Sequence, residues 1–144
     1  MTRDSCQTEY LEIRISPLIG PGPVEIFQHS SDGSEHLQNS FSSLRDKGDF
    51  ERFLLALGQL LGEGPKYGLI DLSKMPWVGS AGLVQFVEIH KKFQAAQGQL
   101  VFVGPNPRVS QIFRLTQLDK VFVIVETVGE ALQVFEECCG GGCT

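Results

Sequence analysis

One hydroxyl sits in the run Trp77-Val78-Gly79-Ser80-Ala81-Gly82-Leu83, where an apolar stretch gives way to a helical pattern. Two kinds of chemistry are open to Ser80 there. As a helix cap, its oxygen accepts a hydrogen bond from an orphan backbone N–H of the first turn. As a phosphoacceptor, it takes on negative charge at the end of a helix that tolerates it. The first role makes a scaffold and the second a switch.

Other reactive groups are scattered. His90 falls on an apolar helical face with Phe86, Val87 and Phe93. It is either a general base in a pocket or a half-buried histidine with one satisfied nitrogen. No nucleophile stands one turn away. His29 and His36 lie in a polar segment, far in sequence from any paired acidic cluster. Asp71 closes a strand, where a phosphate-accepting aspartate could stand. Such a site needs an acidic pair for magnesium after the first strand, and Ser16-Pro17 stands there instead. Asp71 is therefore expected to be a hydrogen-bonding strand end.

Gly20-Pro21-Gly22-Pro23 and Gly62-Glu63-Gly64-Pro65 are glycine-rich, but neither leads through Lys-Ser/Thr into a helix, so both read as turns. Cys138, Cys139 and Cys143 fall in the last seven residues, and the fourth cysteine is Cys6. A thiolate metal knot is the sharp reading of that end. A reduced, flexible tail over 138–144 is favoured, because no histidine lies nearby in sequence. Trp77 suits either a partner hot spot or a roof over the core. No catalytic residue, metal ligand set or cofactor site emerges. A small ligand-binding or metal-binding α/β protein using His90 or the cysteines remains the outside alternative.

The elements that position these groups are legible in the periodicity. Tyr10–Ile15 and Val24–Phe27 alternate apolar and polar residues, as two antiparallel strands do. Leu37, Phe41 and Leu44 fall at helical spacing behind Ser34, so an extra helix is expected near 35–47. Asp49 reads as the cap of a helix with an apolar stripe at Phe50, Phe53, Leu54, Leu57, Leu60 and Leu61. Tyr67–Leu72 reads as a strand buried on both faces. A helix follows from Ser80 to about Ala96, with Leu83 on its inner face and Gly98 placed to end it. Leu100–Val103 is a central strand. Asn106-Pro107 opens a short helix with Val109, Ile112 and Phe113 inward. Val121–Val125 is a last strand, and Thr127 with Glu130 makes a capping box for a final helix holding Leu132 and Phe135.

The order is β-β-α-β-α-β-α-β-α. Parallel neighbours need such helical crossovers. An α/β fold is expected: one mixed, mostly parallel sheet packed by helices, with a single domain over 1–137.

Composition agrees. The 144 residues are 42% hydrophobic and 20% charged, with a net charge of −5. That favours a packed fold and argues against a nucleic-acid binder, which needs a basic patch. No secretory pattern opens the chain, and no apolar run nears the roughly 20 residues of a membrane span. A cytoplasmic monomer that meets neither nucleic acid nor membrane is expected.

The runs Leu69-Ile70-Asp71-Leu72-Ser73, Val78-Gly79-Ser80-Ala81-Gly82-Leu83, Gly98–Gly104, Pro107-Arg108-Val109 and Leu115–Phe122, in this order and spacing, resemble the STAS family. The likeness covers about Tyr67 to Phe135. That family includes the bacterial anti-sigma factor antagonists, and the resemblance to them implies binding without catalysis. The implied partner is an anti-sigma factor that is a histidine-kinase-like serine kinase. Ser80 occupies the place of the serine that such kinases phosphorylate. Gly82 and Leu83 match their places, and Trp77, Gly79 and Ala81 complete the implied contact rim. Gly79 stands where the family's turn has aspartate, which leaves open a constitutive binding module that is never phosphorylated. Gln117 stands where a glycine is usual. Residues 29–48 replace a shorter connection, on the side that often meets the partner.

Overall fold

The computed structural model describes residues 9–15, 24–30, 33–41, 47–63, 66–76 and 78–139. Its strands are β1 (Tyr10–Ile15), β2 (Val24–His29), β3 (Glu35–Phe41), β4 (Tyr67–Asp71), β5 (Gln99–Val103) and β6 (Val123–Val125). Its helices are α1 (Lys47–Glu63), α2 (Ser80–Ala95), α3 (Pro107–Leu115) and α4 (Val128–Cys139). The strands form one sheet in the order β3-β2-β1-β4-β5-β6. The pairs β1–β4, β4–β5 and β5–β6 are parallel, and the two outer pairs, β1–β2 and β2–β3, are antiparallel.

Alternation in β1 and β2 sorts the two faces. Leu11, Ile13, Val24 and Ile26 are buried on one face, under α1, α2 and α3. There Phe102 stacks on Phe122 at 4.4 Å and meets Phe86 and Phe113 edge-on at 5.3 and 5.9 Å. Burying each such ring stabilises the fold by about 1.5–3 kcal/mol. The other face packs Leu69, Val101 and Val103 on Ala131 and Phe135 of α4. Leu69 and Ile70 therefore serve opposite layers, which is why β4 reads as a continuous apolar run.

The expected helix near 35–47 is a strand instead. β3 is an edge strand, mostly exposed, with Leu37 half open to solvent. An edge strand that buries so little has no apolar alternation to read, and three apolar residues happened to fall at helical spacing. Its register against β2 shifts at Ile26/Phe27, the mark of a bulge. Within 29–48, Ser30 and Gly33 lie at the end of the sheet where β4 begins, and β3 returns the chain to Phe41 at the end where β4 closes.

Other boundaries also moved. α1 starts at Lys47, so Asp49 lies inside its first turn, paired with Arg52, and is not its cap. β6 is only three residues long, and Val121 is exposed. α2 buries Ile89 rather than His90 and keeps Leu83 and Val87 partly covered. α4 continues through Cys138 and Cys139, while Cys6 and 140–144 lie outside the described residues. Among the described residues, no helix is long and apolar enough to cross a membrane.

Two capping expectations hold. Asn106 Oδ1 accepts from the Val109 N–H at 2.9 Å, with Pro107 opening α3. Thr127 Oγ1 accepts from the Glu130 N–H at 3.2 Å, and Glu130 returns a bond, to the Glu126 N–H rather than to that of Thr127. Asn106 has a second role. Its Nδ2 donates to the carbonyls of Met75 and Pro76 at 3.1 and 3.3 Å, tying α3 to the loop that enters the Ser80 corner. Asn106→Ala removes a cap and this tie together, so a loss of about 1–2 kcal/mol is expected in chemical denaturation. Faster amide exchange in 73–79 should accompany it.

Candidate functional site

β4 delivers the chain to the Ser80 corner. Asp71 Oδ1 accepts from the Ser73 N–H at 2.9 Å, the expected strand-end turn. The Leu72 N–H reaches the Val103 carbonyl at 2.8 Å, and Met75 N–H returns to Leu72 at 3.0 Å. Leu72 and Val78 are both buried and pin the loop at each end. Trp77, between them, lies outside the described residues.

Gly79 is the N-cap of α2, in extended backbone at φ −91° and ψ 179°, and its carbonyl accepts from the Leu83 N–H at 3.0 Å. The capping role open to Ser80 is thus not the one it plays: Ser80 is the first residue of the helix and is exposed. A glycine cap offers no side-chain acceptor, so the cap residue itself makes no side-chain bond to this helix end. The first turn also carries no acidic residue. Gly82 lies close under the corner, where a Cβ would stand 3.1 Å from Val78 Cγ1. Ala81 follows Ser80 as the second helical residue, and Leu83 packs partly against the core. The corner is a fixed frame that presents one hydroxyl outward at the C-terminal edge of the parallel strands. In open α/β sheets this edge is the usual place for ligands and partners.

The remaining candidates separate from this corner. His90 lies ten residues along α2, half-buried, with its ring edge-on to Phe122 at 5.3 Å. Burial pushes its imidazole below the ordinary histidine range. Below the unfolded histidine pKa the unfolded chain therefore binds a proton that the folded chain resists, and stability falls with acidification. His90→Gln is expected to flatten the decline in unfolding free energy between pH 7 and pH 5.5. Urea titrations at both pH values check this, and equal slopes for the two proteins would contradict it.

His29 is not remote from acidic groups, contrary to the sequence expectation. Its Nε2 lies 2.7 Å from Glu12 Oε1 and 3.7 Å from Glu35, and its ring stacks on Tyr10 at 4.5 Å. Arg14 bonds both oxygens of Glu12 at 3.1 Å each, bonds Glu35 at 3.1 Å, and covers the Phe27 ring. Burial raises the Glu12 carboxyl, but the bonds and charges of Arg14 and His29 outweigh it, and its pKa lies below the ordinary value. Glu12, His29 and Glu35 have the ligand atoms for a cation within 4.8 Å of one another. Arg14 bonds both carboxylates, so the group acts as a clamp joining β1, β2 and β3.

The STAS domain family matches this chain over residues 25–131, well over half of it, and the chain belongs to that family. It is 32% identical over 75 residues to a protein of Thermotoga neapolitana described as a candidate anti-sigma factor antagonist. It is 29% identical over 75 residues to a counterpart in Thermotoga maritima. In each case the match covers 52% of this chain and 66% of the relative, so it spans just under two thirds of their length. The crystal structure of an anti-sigma factor antagonist candidate of Thermotoga maritima superposes with a TM-score of 0.53 at 26% identity. That superposition covers 61% of this chain and 76% of the other. The single mixed sheet with four helices is the STAS architecture.

Proposed function

We propose that this protein is a non-catalytic partner-switch regulator that works as an anti-sigma factor antagonist. In its unmodified form it grips an anti-sigma factor of the histidine-kinase-like serine kinase type, through Gly79 to Leu83 and Trp77. The kinase transfers phosphate to Ser80 and the complex separates. The observation that carries this reading is the exposed hydroxyl of Ser80 on a pinned βα corner, in a chain that belongs to the STAS family.

Energetics support release at the interface over unfolding. A phosphoserine adds about −1.5 to −2 charges. At the start of α2 that charge gains about 0.3–1 kcal/mol, so the domain keeps its fold. Against a docked partner it meets desolvation and a lost polar contact, which cost about 2–5 kcal/mol. The larger effect acts on the complex.

Incubation with such a kinase and ATP, followed by peptide mass spectrometry, tests the proposal. A single phosphate on Ser80 is expected, and a protein left unmodified under these conditions would count against it. Gly79 favours a second reading, a constitutive binding module, because the family's turn has aspartate there. On that reading, Gly79→Asp leaves phosphorylation at zero. On the switch reading, Gly79→Asp is modified at least as fast as the native protein.

A further inference from the structure

At the end of the sheet opposite Ser80, a cavity of about 630 Å³ opens beside the starts of β4 and β5. The topology explains it. β6 begins at Val123, which pairs with Val101, so Gln99 and Leu100 extend past the start of β6 without a strand on that side. The Gln99 N–H points the other way, to Lys66 O at 2.9 Å, and the Val101–Val123 register gives the Leu100 carbonyl to β6, so β6 pairs with β5 only from that carbonyl onward. At the rim Gln99 folds back, and its Nε2 donates to the same Leu100 oxygen at 3.0 Å. Phe93 and Leu100, both buried, make an apolar floor, and Val121 and Val123 make one wall.

The rim is polar and carries no formal charge: Tyr67, His90, Gln94, Gln97 and Gln99. Among the described residues, no Asp, Glu, Lys or Arg lines the cavity. Gln94 and Gln97 are exposed, with no side-chain hydrogen bond among the described residues. Gln97 is held at φ 62°, the left-handed conformation that favours glycine. It is the residue just past the α2 C-cap, the place that Gln117 (φ 63°) takes after α3, and it sets an amide at the rim. Burial keeps His90 neutral near pH 7, with one ring nitrogen donating and one accepting.

We propose that this cavity binds an uncharged planar ring bearing an amide-like edge. Its volume falls in the range of small-molecule sites, with an apolar floor and a few convergent polar groups. Side-chain amides match a neutral edge that both donates and accepts. A carboxylate or phosphate finds no counter-charge here and loses its hydration on entry. The site is separated from Ser80 by most of the length of α2, roughly 20 Å, and the proposal is independent of the switch reading.

Nitrogen-15 NMR titration of the full chain with two matched pairs of probes tests it: nicotinamide against nicotinate, and benzamide against benzoate. The two amides are expected to shift the backbone resonances of His90, Gln94, Gln97 and Gln99, and the two carboxylates to leave them in place at equal concentration. Gln97→Gly relieves the backbone strain, so its melting temperature should hold or rise while nicotinamide binding weakens about fivefold. Equal shifts from amide and carboxylate, shifts centred on residues 78–83, or no shift from either amide at millimolar concentration would each overturn the proposal. So would a Gln97→Gly variant that folds normally and binds nicotinamide as well as the native chain.

Discussion

Ser80→Asp is expected to weaken partner binding by about 30- to 4000-fold, while its melting temperature stays within a few degrees of the native value. The range follows from the roughly 2–5 kcal/mol lost when a buried polar contact at an interface is replaced by an unmatched charge. The stability side is equally directional. Ser80 is exposed, the first turn of α2 has no acidic residue, and Gly79 contributes no capping oxygen. An aspartate at the first helical position therefore meets no like charge on that turn and gains about 0.3–1 kcal/mol from the helix end. Ser80→Ala is the matched control. It removes the modifiable oxygen without adding charge, so it should bind as the native chain does and resist release by the kinase. Calorimetric titration of the three proteins against one kinase, with thermal melts of each, reads both halves. A Ser80→Asp protein that binds like the native one, or that melts far below it, contradicts this account of the corner.

Gly98→Ala is expected to be the most damaging small substitution in the fold, costing about 3 kcal/mol or more. A Cβ at position 98 runs into the Lys66 carbonyl oxygen, and the carbonyl carbon is only 2.8 Å away. Both are backbone atoms, so no flexible side chain can move aside. The same carbonyl accepts from the Gln99 N–H at 2.9 Å, the bond that starts the β4–β5 ladder. The methyl group and that bond cannot coexist, and the centre of the sheet loses its first link. Gly58→Ala, inside α1, is the contrast. There a Cβ meets only the end of Lys92, at 3.8 Å. Removing a helix-interior glycine should raise stability by about 0.5–1 kcal/mol. Denaturant titrations of both variants give the opposite signs directly, and similar effects for the two would refute the close-approach argument.

Gly98 also shows what the sequence could and could not reveal. A helix end was legible there, but not its mechanism. The left-handed residue is Gln97, and Gly98 is needed for close approach to Lys66, a contact across 32 positions that no local pattern announces. Asn106 is similar. Its cap was readable from Asn-Pro, while its bonds to Met75 and Pro76 join segments 30 residues apart. The strands and helices that bury a face were legible because burial imposes a period. β3 was misread because it buries little, and β6 was read too long because Val121 is apolar yet exposed. The clamp of Glu12, Arg14, His29 and Glu35 was invisible, since only the β1–β2–β3 register brings those residues together. In the Ser80 corner, the position at the start of a helix was readable from Gly79-Ser80-Ala81-Gly82 alone. That Gly79 and not Ser80 takes the cap required the backbone.

The most direct test of the central claim is a hydrogen-exchange footprint of the native protein with and without its kinase partner bound. The account predicts slowed exchange over residues 78–87, at the corner and first turns of α2, with 97–100 at the far end of the sheet unchanged. Protection confined to the β2–β3 edge or to α4, with residues 78–87 exchanging as in the free protein, would contradict it.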